Sequence, residues 1–164
     1  MTSRISIYRP ALAGLLVLMS ASAVAAQVNV TGALTGHDIF TVQAGILQAS
    51  GSGTGTASHI GQFRYLIQAT VNPAGSSEGV FLLVFSNGDL IYGSLAGQGD
   101  TPPPPPPALA HITEQLTITG GTGRFKGASG TVTFNRLVDT STFPFYDSYS
   151  GTLTGTISTL TSSK

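Results

Sequence analysis

The sequence predicts an all-β protein, an eight-stranded antiparallel up-and-down β-barrel that follows a cleaved signal peptide. Beyond residue 26 the chain shows no helical periodicity; apolar and polar residues alternate with period two instead. Glycine and proline punctuation cuts that alternation into eight segments. Most of their connections are short, which favours antiparallel neighbours in sequence order. Only 9% of the residues are charged, and Thr, Ser and Gly are abundant, as suits strands better than helices. Eight consecutive strands that close on themselves leave no exposed sheet edge.

Residues 1–26 read as a leader. Arg4 and Arg9 supply a basic start, Ala11 to Met19 an apolar stretch too short to span a bilayer, and Ser20 to Ala26 the small residues of a cleavage site. The expected products are a mature domain over residues 27–164, with no membrane span, and an exported location, secreted or periplasmic. Losing the leader removes two of the 7 basic residues and none of the 7 acidic ones, so the net charge falls from +0 to about −2. The mature chain has no basic stripe, which argues against nucleic acid as a partner. It also has no cysteine, which excludes disulfides, a thiolate nucleophile and a thiolate metal site.

The strands are expected at 28–35, at 40–50 running on into 53–58, and then at 61–72, 78–86, 89–97, 110–119, 130–138 and 149–160. Asn72-Pro-Ala-Gly75 and Ser86-Asn-Gly-Asp89 are turns with a mechanism: Pro fixes φ, and Asn-Gly suits a two-residue hairpin. A Pro-rich loop at 98–109 separates the fifth and sixth strands. Its six consecutive prolines, Pro102 to Pro107, would extend about 19 Å as a polyproline II rod. A stiff loop is the plain reading; a docking segment for a partner is the other.

The alternation assigns side chains to faces. Phe63, Tyr65, Ile67, Ala69 and Val71 share one face of the third strand. Ile112, Glu114, Leu116 and Ile118 share the apolar face of the sixth, and Val132, Phe134, Arg136 and Val138 that of the seventh. Two charged residues thus fall among side chains that should line the barrel. If the hairpin between them pairs Thr119 with Thr131, Glu114 lies directly opposite Arg136, close enough for an ion pair that either keeps one mouth of the barrel wet or serves as a polar anchor or acid/base group in an apolar pocket. In the last strand Tyr149, Leu153 and Ile157 face inward with two glycines. The fourth strand, Val80 to Phe85, is apolar on both faces, which calls for cover outside the barrel, either from a homo-oligomer interface or from a loop or the N-terminal segment packed on it.

Common chemical motifs are missing. The run Gly121-Thr-Gly-Arg-Phe-Lys126 has lysine where a dinucleotide fingerprint needs its third glycine, and a strand follows it where a helix would be required. His37, His59 and His111 are too scattered for a metal site, so neither a metal nor another cofactor is expected. Asn29-Val-Thr31 is a glycosylation sequon, relevant only in a eukaryotic secretory pathway.

The loop Ile118-Thr-Gly-Gly-Thr-Gly-Arg-Phe-Lys-Gly-Ala-Ser-Gly130 resembles the signature loop of the allene oxide cyclase-like barrels, a superfamily that includes the dirigent proteins. Ser58-His-Ile-Gly-Gln-Phe63 and Ser86-Asn-Gly-Asp-Leu90 resemble segments of small exported bacterial members. The resemblance implies an eight-stranded barrel, often trimeric, around a hydrophobic cavity in which reactive apolar intermediates are cyclised or coupled. The plant cyclases hold their epoxide with a set that includes a cysteine, which this chain lacks, so their activity does not carry over. The loop's own residues read as architecture: Phe125 as a plug beneath the barrel end, Arg124 and Lys126 in solvent.

Three functions follow as expectations. The first is a non-enzymatic barrel that binds a small apolar ligand, with Phe63, Tyr65, Ile67, Glu114, Leu116, Phe134 and Arg136 lining the site. The second is an isomerase, cyclase- or dirigent-like, using Glu114, Arg136 and Tyr65 as catalytic candidates. The third is a structural or surface-interaction protein whose barrel is filled.

Overall fold

A computed structural model describes residues 25–100, 109–141 and 145–160. Eight strands follow one another: β1 (Ala25–Gln43), β2 (Ile46–Ala57), β3 (Gly61–Val71), β4 (Ser76–Phe85), β5 (Leu90–Gly99), β6 (Leu109–Gly121), β7 (Ser129–Asp139) and β8 (Tyr146–Leu160). Each pairs antiparallel with the next, and β8 pairs with β1, closing the barrel in sequence order. The predicted fold class is therefore the observed one. Most of the leader, residues 1–24, lies outside the described residues, and so do the six prolines. Ala25 and Ala26, which flank the expected cleavage point, pair with Leu160 and Thr159. The connection between β5 and β6 is shorter at both ends than the 98–109 expected, because pairing continues to Gly99 and resumes at Leu109.

The first hairpin differs from the expectation. β1 is a single strand that continues through Gly36 to Ile39, where a break between strands was predicted, and the chain turns instead at Ala44-Gly45. Both turn residues have positive φ, 52° and 79°, the backbone that a two-residue hairpin demands. Alanine is an unusual occupant of that conformation. Apolar alternation runs through the turn without interruption, and this is what hides it.

The β6–β7 register is displaced by two residues from the one expected. Thr117, not Thr119, faces Thr131; Glu114 faces Phe134, and Arg136 faces Ile112. The glycine loop accounts for the shift. Gly120 and Gly121 pair back onto Tyr92 and Ile91 of β5, a short 3₁₀ turn occupies Gly123–Phe125, and β7 rejoins β6 only at Gly130 opposite Ile118. A slip of two leaves every side chain on its predicted face.

The barrel has two unlike ends. At the end holding the glycine loop, Phe125 and Ile60 are buried and plug the interior, and the Phe125 ring lies 4.6 Å from that of Phe85. Arg124 is half-exposed but not free in solvent: it donates to the Ile60 carbonyl at 2.7 Å and covers the Phe85 and Phe125 rings. Beyond the plug, Leu116, Val132, Phe134, Leu153 and Ile157 fill the interior and leave a void of only about 10 Å³. The opposite end, beneath the turns at Ala44-Gly45 and Asn72–Gly75, is not filled.

Candidate functional site

That open end holds a cavity of about 420 Å³, within the roughly 300–1,000 Å³ usual for small-molecule sites. Its wall is mainly apolar, formed by Phe40, Leu47, Ala49, Ile67, Ala69, Val71, Ala110, Ile112 and Val138. Four buried ionisable residues break that surface, Asp38 from β1, Glu114 from β6, Arg136 from β7 and Asp147 from β8, while the exposed Asp100, paired with His111, lies at its rim. All four are at least 95% buried.

Arg136 organises the group. Its Nη1 donates to Asp38 Oδ2 at 2.7 Å and its Nη2 to Glu114 Oε1 at 2.8 Å, so one guanidinium bridges two carboxylates. The Glu114 contact is diagonal across the β6–β7 ladder rather than directly across it, as long side chains allow. The guanidinium carbon also sits 4.5 Å from the centre of the Tyr149 ring, an arrangement that favours a cation over a π face. Glycines on the adjoining strands make room. Gly51 faces Asp38 and Gly97 faces Glu114 across their ladders, and a Cβ at either place would strike the carboxylate side chain beside it.

Below this layer, Tyr149 and Tyr65 are joined by a 2.8 Å hydrogen bond between hydroxyls, and Tyr65 lies a further 3.2 Å from the Thr35 carbonyl, to which it donates. Burial raises both phenols, that of Tyr65 to about 12, so neither ionises near neutral pH.

Burial also raises the carboxyl of Glu114, against the opposing pull of Arg136. Burial works against the charge of Arg136, but Glu114 and Asp38 outweigh it and raise its pKa above the ordinary arginine value. Asp147, which faces Asp38 across the β1–β8 ladder, is pushed up to about 7 by burial and then by the Asp38 charge. Three buried polar atoms have no hydrogen-bond partner among the described residues: Glu114 Oε2, Asp147 Oδ1 and Arg136 Nε. No group of three His, Cys, Asp or Glu among those residues is placed to hold a metal ion.

The structure thus divides the residues singled out from sequence. Ile67, Glu114 and Arg136 meet at the cavity. Leu116 and Phe134 do not reach it; they belong to the packed half. Tyr65 sits beneath the charged layer, its ring edge-on to Phe134. Phe63 is buried nearer the plugged end against Phe85, and it borders a groove on the outside of the barrel, not the cavity. Sequence reasoning missed Asp38, Asp147 and Tyr149 as site residues. Period two holds the signal for the acids: Asp38 keeps the parity of Val30 and Leu34, and Asp147 that of Tyr149 and Leu153. No family model, no curated protein and no solved structure matches this chain.

Proposed function

We propose that this protein is an exported barrel that binds a small, largely apolar ligand in the cavity at its open end. The observation that carries the reading is the contrast within one barrel: a packed half with almost no void, and an open half with an apolar cavity of about 420 Å³. A core serving stability alone would be filled at both ends. The experiment is a fluorescence titration with pyrene, a neutral hydrocarbon whose emission reports the polarity around it. Saturable binding in an apolar environment is expected. Ala69→Phe, which fills the cavity from β3, should abolish it while the far-ultraviolet circular dichroism stays unchanged. Wild-type protein that leaves pyrene in water would overturn the reading.

A second reading, an isomerase- or cyclase-like activity, is favoured by the place of Asp147 on the cavity wall, where burial and the neighbouring Asp38 push its carboxyl up to about 7, suited to general acid or base work. In that case Asp147 joins Glu114 and Arg136 as the groups in reach of substrate, and Tyr65 supports them from below.

The outside of the barrel supports self-association. Leu66, Leu82 and Tyr92 lie side by side across β3, β4 and β5, and Val80 beside them is 57% exposed. We expect light scattering on the purified protein to give a multiple of the chain mass, three-fold if the family resemblance extends to assembly. A monomeric mass would remove the oligomer.

A further inference from the structure

We propose that the cavity is selective for a primary alkylammonium, an apolar body whose cationic head is held by Glu114 and Asp147. The proposal rests on the ligand-binding reading above and names the ligand's chemical class.

The argument begins with what the charged groups have left over. Both terminal nitrogens of Arg136 are committed, one to Asp38 and the other to Glu114. Two buried acceptors, Glu114 Oε2 and Asp147 Oδ1, then lack a partner among the described residues, against one donor, Arg136 Nε. Glu114 is 1% and Asp147 2% exposed, and both line the cavity. The buried part of the site therefore sets three carboxyl groups against one guanidinium, with more unpaired acceptors than unpaired donors.

Ligand head groups differ sharply against that background. A carboxylate or phosphate would add another anion to a site that already has too many. A hydroxyl would satisfy an acceptor but leave the charge unrelieved. An ammonium brings three donors and the missing positive charge, and charge-assisted hydrogen bonds to buried carboxylates are the stronger class. The apolar wall at Phe40, Leu47 and Ile112 then accepts the alkyl body.

The same geometry gives the binding a pH signature. Asp147 is faced by Asp38 from β1 and by Arg136 from β7, with Asp139 contributing from the β7 end, and it shares the cavity wall with Glu114 from β6 and the exposed Asp100. An alkylammonium keeps its proton below about pH 10. Asp147, pushed up to about 7, is thus the partner whose charge changes near neutrality, and its ionisation strengthens the attraction as pH rises.

Calorimetric titration of the purified protein with octylamine, octanol and octanoate tests this. At about pH 8 octylamine is expected to bind roughly tenfold or more tightly than octanol, with octanoate weakest. The preference of amine over alcohol should shrink as the pH is lowered to about 5. Asp147→Asn should lose most of the preference, with an unchanged far-ultraviolet circular dichroism spectrum to show that the barrel is intact. Octanoate or octanol binding as well as octylamine, in protein that binds pyrene, would overturn the ammonium proposal alone. Protein that binds neither pyrene nor any of the three would remove the cavity reading as well.

Discussion

Replacing Arg136 with methionine is expected to destabilise the barrel by about 3–5 kcal/mol, the usual consequence of breaking a buried ion pair by deleting one partner. Methionine keeps much of the side-chain volume, so lost packing is not the main cause. The damage comes from Asp38 and Glu114, which would remain buried with their shared counter-ion gone. Urea denaturation followed by circular dichroism measures the loss. It should diminish as the pH is lowered and the stranded carboxyls take up protons. Adding Asp38→Asn and Glu114→Gln to the methionine variant should restore part of the stability, since neutral amides are far cheaper to bury than unpaired charges. A packing explanation predicts no such recovery. A loss below about 1 kcal/mol would mean that water reaches the triad freely and that the charges are not held as a buried group.

The parts of this arrangement that were legible from sequence are those that period two can encode. Phe63 to Val71 alternates cleanly, and its odd positions are all turned inward in the barrel. Glu114 and Arg136 were placed on the interior face by the same parity, and a register wrong by two residues did not disturb that result. Parity says nothing about where a strand begins, however, and both missed acids lie at such places. Asp38 follows Gly36-His37, a polar interruption that resembles a loop. The barrel instead carries the strand straight through and uses Gly36 and Gly51 to admit bulky side chains from neighbouring strands. Asp147 precedes the expected start of the last strand. The β6–β7 register was not recoverable for a related reason: Gly120 and Gly121 are spoken for by β5 through its bulge at Tyr92 and Gly93, a long-range pairing with no local signature.

Asp147 should make the protein less stable as the pH rises from about 4 to about 8, the reverse of the behaviour of a salt-bridged carboxylate. Its pKa goes from the ordinary 3.8 to about 7 on folding. Between those values the folded chain holds a proton that the unfolded chain has released. The stability linked to this group is therefore complete below about pH 4 and lost as the pH passes through about 7. The cavity opens toward solvent, which screens part of the effect, so the loss from this residue is on the order of 2–4 kcal/mol. Glu114, raised in the same direction, adds to the slope. Asp139, held below its ordinary value by Ser141, acts only at lower pH and leaves this window alone. Asp147→Asn should accordingly match the wild type near pH 4 and exceed it by most of that amount near pH 8, with a residual slope from Glu114. Parallel stability profiles for the two proteins would show that Asp147 is an ordinary solvated carboxylate. The expected gain at pH 8 also bears on function, because the same substitution should strip the cavity of its preference for an ammonium head. Stability and ligand selection would then respond in opposite directions to one oxygen pair, as expected of a side chain whose buried charge is compensated by a guest rather than by the fold.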